Sequence, residues 1–271
     1  MNKTYKTLLT LSINGILPAL YILLSSYTFL TDTSKTNTFH FKTVVIDAGH
    51  GGKDPGARGS YALEKNVTLQ IAKKLRKALN EQMSSLNVVM TRTDDTFIPL
   101  DERSDIANRH NGNLFVSIHC NSSPVGSEKQ KGVMMLVYGF HRVKEQLEAI
   151  RENASIFIEK DYKTKYKSYD ENDPVNKILL NAYMQKYRKQ SILFGDLLNS
   201  AFKDEGRQRI GVKEQGVLVL AHSAMPAVLI ETGFINNPNE EDYLSSDAGQ
   251  DEIVQAIVSA IKEYKREVSP Y

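Results

Sequence analysis

Three short apolar runs each stop on a side chain that can bind a metal or carry a proton, and nothing else in the chain constrains its fold as much. TVVIDAGH ends at His50, LFVSIH at His119 and AVLIE at Glu231. Runs of this length, rich in Val and Ile and bounded by glycine or polar residues, read as buried strands. Helical patterns lie between them, which predicts an α/β fold: a single twisted, mostly parallel sheet flanked by helices. Ligands of such sheets gather at the carboxyl ends of the strands, so groups distant in sequence can meet there.

The intervening segments fit this plan. Val67, Ile71, Leu75 and Leu79 recur at i, i+4 spacing and mark the buried face of a helix. NVVMTR reads as a strand, PLDERSDIANRHN as a helix with proline at its opening turn, and GVMMLVYG as a further strand. From Phe140 to about Gln190 the chain becomes long, charged and helical, so 141–190 reads as an insertion after a central strand. Helix resumes through SILFGDLLNSAF. GVLVLAHSAMPAVLIE reads as a strand pair or a strand with a turn, and EIVQAIVSAIKEY as a closing helix.

Composition narrows the chemistry. The 34 basic and 32 acidic residues nearly cancel, to a formal charge of +2, so no nucleic-acid partner is expected. Cys120 is the single cysteine, which rules out an intramolecular disulfide and a cysteine-rich zinc site; any metal must use histidine and carboxylate. Strand alternation turns Cys120 away from the face of His119, as a packing residue. Lys3 and Lys6 precede an apolar stretch from Leu8 to Leu30, which reads as an export signal. Residues 1–30 fit both a cleaved signal and a retained anchor, followed by a linker over 31–40. The expected location is the periplasm or cell envelope, with membrane contact only through that segment if it is uncleaved.

His50 lies in a turn bracketed by Gly49, Gly51 and Gly52, which lets the backbone bend and a ligand approach. A hydrolytic zinc site needs three protein ligands and an open position, and two histidines with one carboxylate suit it. Glu64 is the natural third ligand, because it stands where the loop after His50 ends and the next helix begins. Glu231 is the candidate proton carrier. His40, His110, His141 and His222 have no convergent partner in the sequence and read as surface or structural. GHGGKDPG is not a phosphate loop, since no Ser or Thr follows its glycine-lysine pair.

Over 41–267 these motifs resemble the type 3, zinc-dependent N-acetylmuramoyl-L-alanine amidases, with residues 268–271 left as a tail. VIDAGHGGKDPGA carries the histidine that corresponds to the family's first zinc ligand, His50. Glu64 stands at the zinc glutamate, SIHCN brings His119 as the second histidine, and VLIETGFINNPNE brings Glu231 as the catalytic glutamate. Cys120 departs from the small residue usual after that second histidine. The resemblance implies one Zn2+ per chain and peptidoglycan as substrate, cut between N-acetylmuramic acid and L-alanine. The role implied is wall remodelling or daughter-cell separation. The insertion resembles the helical segment with which some division amidases cover their site until a protein activator moves it. The rival readings are an inactive peptidoglycan-binding scaffold and a zinc peptidase acting on the stem peptide.

Overall fold

The computed structural model describes residues 40–124, 126–127, 129–139, 146–169 and 173–269. The export segment, most of the linker and His141 lie outside these residues.

Strand β1 (Thr43–Ala48) is buried along its whole length, as a run apolar on both faces must be. Helix α1 (Glu64–Gln82) returns the chain to the edge strand β2 (Asn87–Met90). Then come α2 (Leu100–Arg109), β3 (Leu114–Asn121) and β4 (Val133–Tyr138), the last two again fully buried. With β5 (Arg209–Gln215) and β6 (Ala227–Phe234), the sheet has six strands in the order β2-β1-β3-β6-β4-β5. All neighbours run parallel except β4 against β6 (Ala227–Phe234), so the sheet is mostly parallel as expected.

The insertion leaves an interior strand, β4. It contains α3 (Leu147–Asn153), a short 3-10 turn (Ala154–Ile158), the single-turn α4 (Tyr162–Lys165) and the start of α5 (Pro174–Asp204). The Asp173 carboxylate caps α5 by accepting from the amides of Val175 and Asn176 at 2.8 and 3.2 Å, and Pro174 fits the first turn, where no N–H is needed. α5 runs unbroken past position 190. Its outer half and its sheet-packing half are therefore one rod.

Two segments differ from the sequence expectation. Arg209–Gln215 forms β5, an edge strand whose first residues are exposed and whose composition is charged, so it shows no apolar run. Leu218–Ala221, part of the expected strand pair, is instead a buried helical turn, α6; a short apolar run does not by itself separate buried strand from buried helix. The chain closes with α7 (Pro238–Ser245) and α8 (Asp247–Val268).

One apolar cluster fills the face covered by α1, α5 and α8, and includes Ile46, Ile71, Leu75, Ile118, Phe194, Ile230 and Ile257. Each such side chain contributes about 1.5–3 kcal/mol when fully buried. A smaller cluster, with Phe115, Leu136, Ala149, Leu220 and Leu229, fills the face under α2, α3 and α6. Ala149 thereby fixes α3 to the sheet. Among the described residues no helix is long and apolar enough to cross a membrane.

Candidate metal centre

His50 follows β1 at the first bend of the chain and has a left-handed backbone, φ +60°, which a non-glycine residue adopts only when its surroundings hold it there. Two buried guanidiniums do so. Arg103 donates to the carbonyls of Ala48 and His50 at 2.8 and 2.7 Å, and Arg92 to those of Ala48 and Gly49 at 2.8 and 2.7 Å. Gly49 is required for a different reason: a Cβ there would collide with the His119 ring.

Arg103 is charge-balanced by Asp47, 2.8 Å away, which also accepts from Thr91 and Ser117 at 2.6 Å each. Burial works against the Asp47 carboxylate, but Arg103 and the two hydroxyls outweigh it and hold it below its ordinary range. Removing one partner of such a pair strands a buried charge. Arg103→Met is therefore expected to lose about 3–5 kcal/mol of stability in urea unfolding. A loss below about 1 kcal/mol, the size of a surface pair, would contradict this role.

The His50 Nδ1 is 2.9 Å from Asp54 Oδ2, which orients the ring. Glu64, the first residue of α1, is fully buried and accepts from the Cys120 amide at 2.8 Å and the Ala57 amide at 2.7 Å. Its Oε1 lies 3.1 Å from His50 Nε2 and 3.2 Å from His119 Nδ1. His119 comes from β3 and meets the His50 ring edge-on, with centroids 4.9 Å apart. On the neighbouring strand, Glu231 is in register with His119 and is itself fully buried. The structure thus brings His50, Glu64 and His119 together and sets Glu231 beside them. His40 and His110 are exposed and His222 is half-buried, and none of the three is in the cluster. Cys120 faces the apolar cluster under α1, as alternation requires.

A fourth residue, and the second carboxylate, completes the group of donors, and sequence reasoning missed it. Glu152, on α3 of the insertion, sets its Oε2 2.7 Å from His119 Nδ1 and 3.5 Å from His50 Nε2. Ligand atoms of His50, Glu64, His119 and Glu152 all lie within 4.8 Å of one another. Its neighbour Arg151 donates to Glu231 Oε1 at 2.6 Å and to Asn121 Oδ1 at 2.5 Å. In the sequence EQLEAIREN nothing distinguishes these two residues from a solvated helix face; a carboxylate four positions after Glu148 is the only hint.

Charge shapes the cluster. Burial disfavours protonated His119, but Glu152 and Glu64 prevail and push it up to about 9; His50 is raised as well, where Glu64 and Asp54 overcome burial. Burial opposes the Glu64 carboxylate too, yet His50 draws it below its ordinary range. Glu231 goes the other way. Its burial dominates, Arg151 only partly offsets it, and it is pushed up to about 8.

The donors suit a divalent cation. His50 Nε2 is buried and makes no well-formed hydrogen bond, despite two carboxylates close by. It points between them. Two imidazoles and a carboxylate are the ligand chemistry of hydrolytic zinc, and donor atoms of one tetrahedral shell lie about 3.3 Å apart, close to the spacings here. With α3 in place, the remaining space against His50 and His119 is only ≈ 10 Å³, about the volume that admits one water.

The profile described as N-acetylmuramoyl-L-alanine amidase matches residues 44–263. The chain belongs to the N-acetylmuramoyl-L-alanine amidase family. Among its amidase relatives, a putative N-acetylmuramoyl-L-alanine amidase of Buchnera aphidicola subsp. Baizongia pistaciae is 33% identical over 82% of this chain and 95% of its own length. The amidase AmiA of Salmonella typhimurium is 32% identical over 86% of this chain and 83% of its own. The catalytic domain of the amidase CwlV from Bacillus (Paenibacillus) polymyxa superposes with a TM-score of 0.60 at 31% identity, covering 82% of this chain and 97% of that domain. The six-stranded sheet with flanking helices is the fold of this amidase family.

Proposed function

We propose that this amidase hydrolyses the bond between the lactyl group of N-acetylmuramic acid and L-alanine in peptidoglycan, with zinc held by His50, Glu64 and His119 and with Glu231 as proton carrier. The observation that carries the reading is the convergence of these three donors beside a buried glutamate in register with His119. Zinc held by His50, Glu64 and His119 would supply Lewis-acid chemistry at the amide carbonyl and lower the pKa of water there. The chain does the rest. Asp54 aims His50, and the amides of Cys120 and Ala57 hold Glu64. Glu231, buried on the strand beside His119, accepts a proton and then delivers it to the leaving alanine nitrogen.

In the same reading, α3 holds the enzyme off. Glu152 takes the place that a hydrolytic site leaves for water or substrate, and Arg151 ties up Glu231. The helix is latched by Gln215, whose Oε1 accepts from the Ala149 amide at 2.8 Å, and by Asn153, whose Oδ1 accepts from the Leu218 amide at 2.8 Å. Leu147 and Ile150 stand exposed on its outer side, where a protein activator would grip it. Export through residues 1–30 suits a substrate that lies outside the cytoplasm, for wall remodelling or separation of daughter cells.

Metal removal tests the zinc step. Dialysis against a chelator is expected to abolish release of labelled peptidoglycan fragments, and one equivalent of zinc to restore it. Undiminished activity in metal-free protein would overturn it.

A further inference from the structure

Beside the blocked centre runs a groove of ≈ 810 Å³, lined among others by Asn121, Lys131, Met134, Glu148, Arg151 and Lys213. Lys213 lies on β5, opposite Leu136 of β4, and Glu231 of β6 is in register with Met134 of β4. The step from Glu231 to Lys213 is thus two strands across and two residues along, roughly 12 Å between backbones at ordinary sheet spacings. One or two extended peptide residues at about 3.4 Å each, together with the flexible stem of a lysine, bridge that distance.

The insertion already places a carboxylate on this lysine. Glu148 lies one helical turn before Glu152 on α3, with its Oε1 3.8 Å from Lys213 Nζ and its Oε2 2.5 Å from Gln215 Nε2. α3 therefore carries Glu152 to the metal donors and, one turn earlier, Glu148 to Lys213 in the groove. The floor between is open: Gly211, opposite Met134, has nothing within 4 Å of where a Cβ would stand.

We propose that Lys213 is a specificity-determining residue, which binds the free carboxylate on the residue that follows L-alanine in the stem peptide, and that Glu148 occupies its place while α3 is seated. This rests on the amidase reading above. Lys213 is about one third exposed, and the groove gives a charged partner partial shelter from water.

The test compares two soluble substrates on the full chain carrying Glu152→Ala: N-acetylmuramoyl-L-alanyl-D-glutamate with its γ-carboxyl blocked as an amide and its α-carboxylate free, and the counterpart in which that α-carboxylate is an amide as well. Opening of α3 multiplies turnover of both substrates equally, so the ratio of their kcat/KM values does not depend on it. The carboxylate substrate is expected to be favoured about tenfold, the size of one hydrogen bond to a charged group. Most of the difference should lie in KM. Lys213→Gln should bring the ratio close to one, and Lys213→Arg should keep it. An unchanged ratio in Lys213→Gln overturns the proposal, as does a ratio abolished by Lys131→Gln instead. If neither substrate is cut by any variant, the amidase reading itself fails and takes this inference with it.

Discussion

Replacing Glu231 by glutamine is expected to lower peptidoglycan hydrolysis by about 10²–10⁴-fold, the usual weight of a positioned general acid–base. The substitution keeps the shape and leaves an oxygen for Arg151, so the fold and the metal donors should persist. Two effects oppose each other. Replacing the carboxyl of Glu231 by an amide weakens the 2.6 Å contact with Arg151 and makes α3 easier to lift, which favours activity by up to the worth of a hydrogen bond to a charged group, about 1.5–3 kcal/mol. Losing the proton carrier costs up to about 5 kcal/mol in the barrier, and no gain in opening restores a missing proton path. Initial rates on dye-labelled sacculi, measured beside zinc content, separate the two: metal retained with activity lost is the expected pair. Full activity in Glu231→Gln would exclude Glu231 as proton carrier.

The second large effect has the opposite sign. Glu152→Ala removes the carboxylate that sits 2.7 Å from His119, a charge-assisted contact worth about 1.5–3 kcal/mol. That shifts the balance between seated and lifted α3, so basal hydrolysis is expected to rise about 10- to 100-fold. The rise is bounded because Arg151, Gln215 and Asn153 still hold the helix, and Arg151→Ala combined with Glu152→Ala should add to it. Basal activity that falls or stays level, with zinc content unchanged, would mean that Glu152 helps to build the centre instead of closing it.

Much of this architecture is legible in the sequence because the sheet's interior must be apolar on both faces. That requirement exposes β1, β3 and β6 as runs, and a chemically active residue at the end of each one stands out. The spacing of Val67, Ile71, Leu75 and Leu79 exposes α1 in the same way, and all four are buried. Edge strand β5 lacks the signal because its first two residues are exposed and the next four, Lys213 among them, are only half-buried. Glu152 and Arg151 escape for a different reason. Their meaning depends on where α3 is docked, and α3 docks through Ala149, whose amide donates to the Gln215 side chain, and through Asn153, whose side chain accepts from the Leu218 amide; neither contact leaves a periodic pattern. Asp47 and Arg103 look like ordinary polar residues of a strand end and a helix, yet the fully buried carboxylate and the nearly buried guanidinium fix the turn that carries His50.

Mass spectrometry of purified sacculi digested by the Glu152→Ala protein tests the central claim most directly. The account predicts stem peptides released with free L-alanine amino termini and glycan strands left with intact muramic acid, and the same products more slowly from the unaltered chain. Cuts inside the stem peptide, or no product from either protein with zinc supplied, would contradict it.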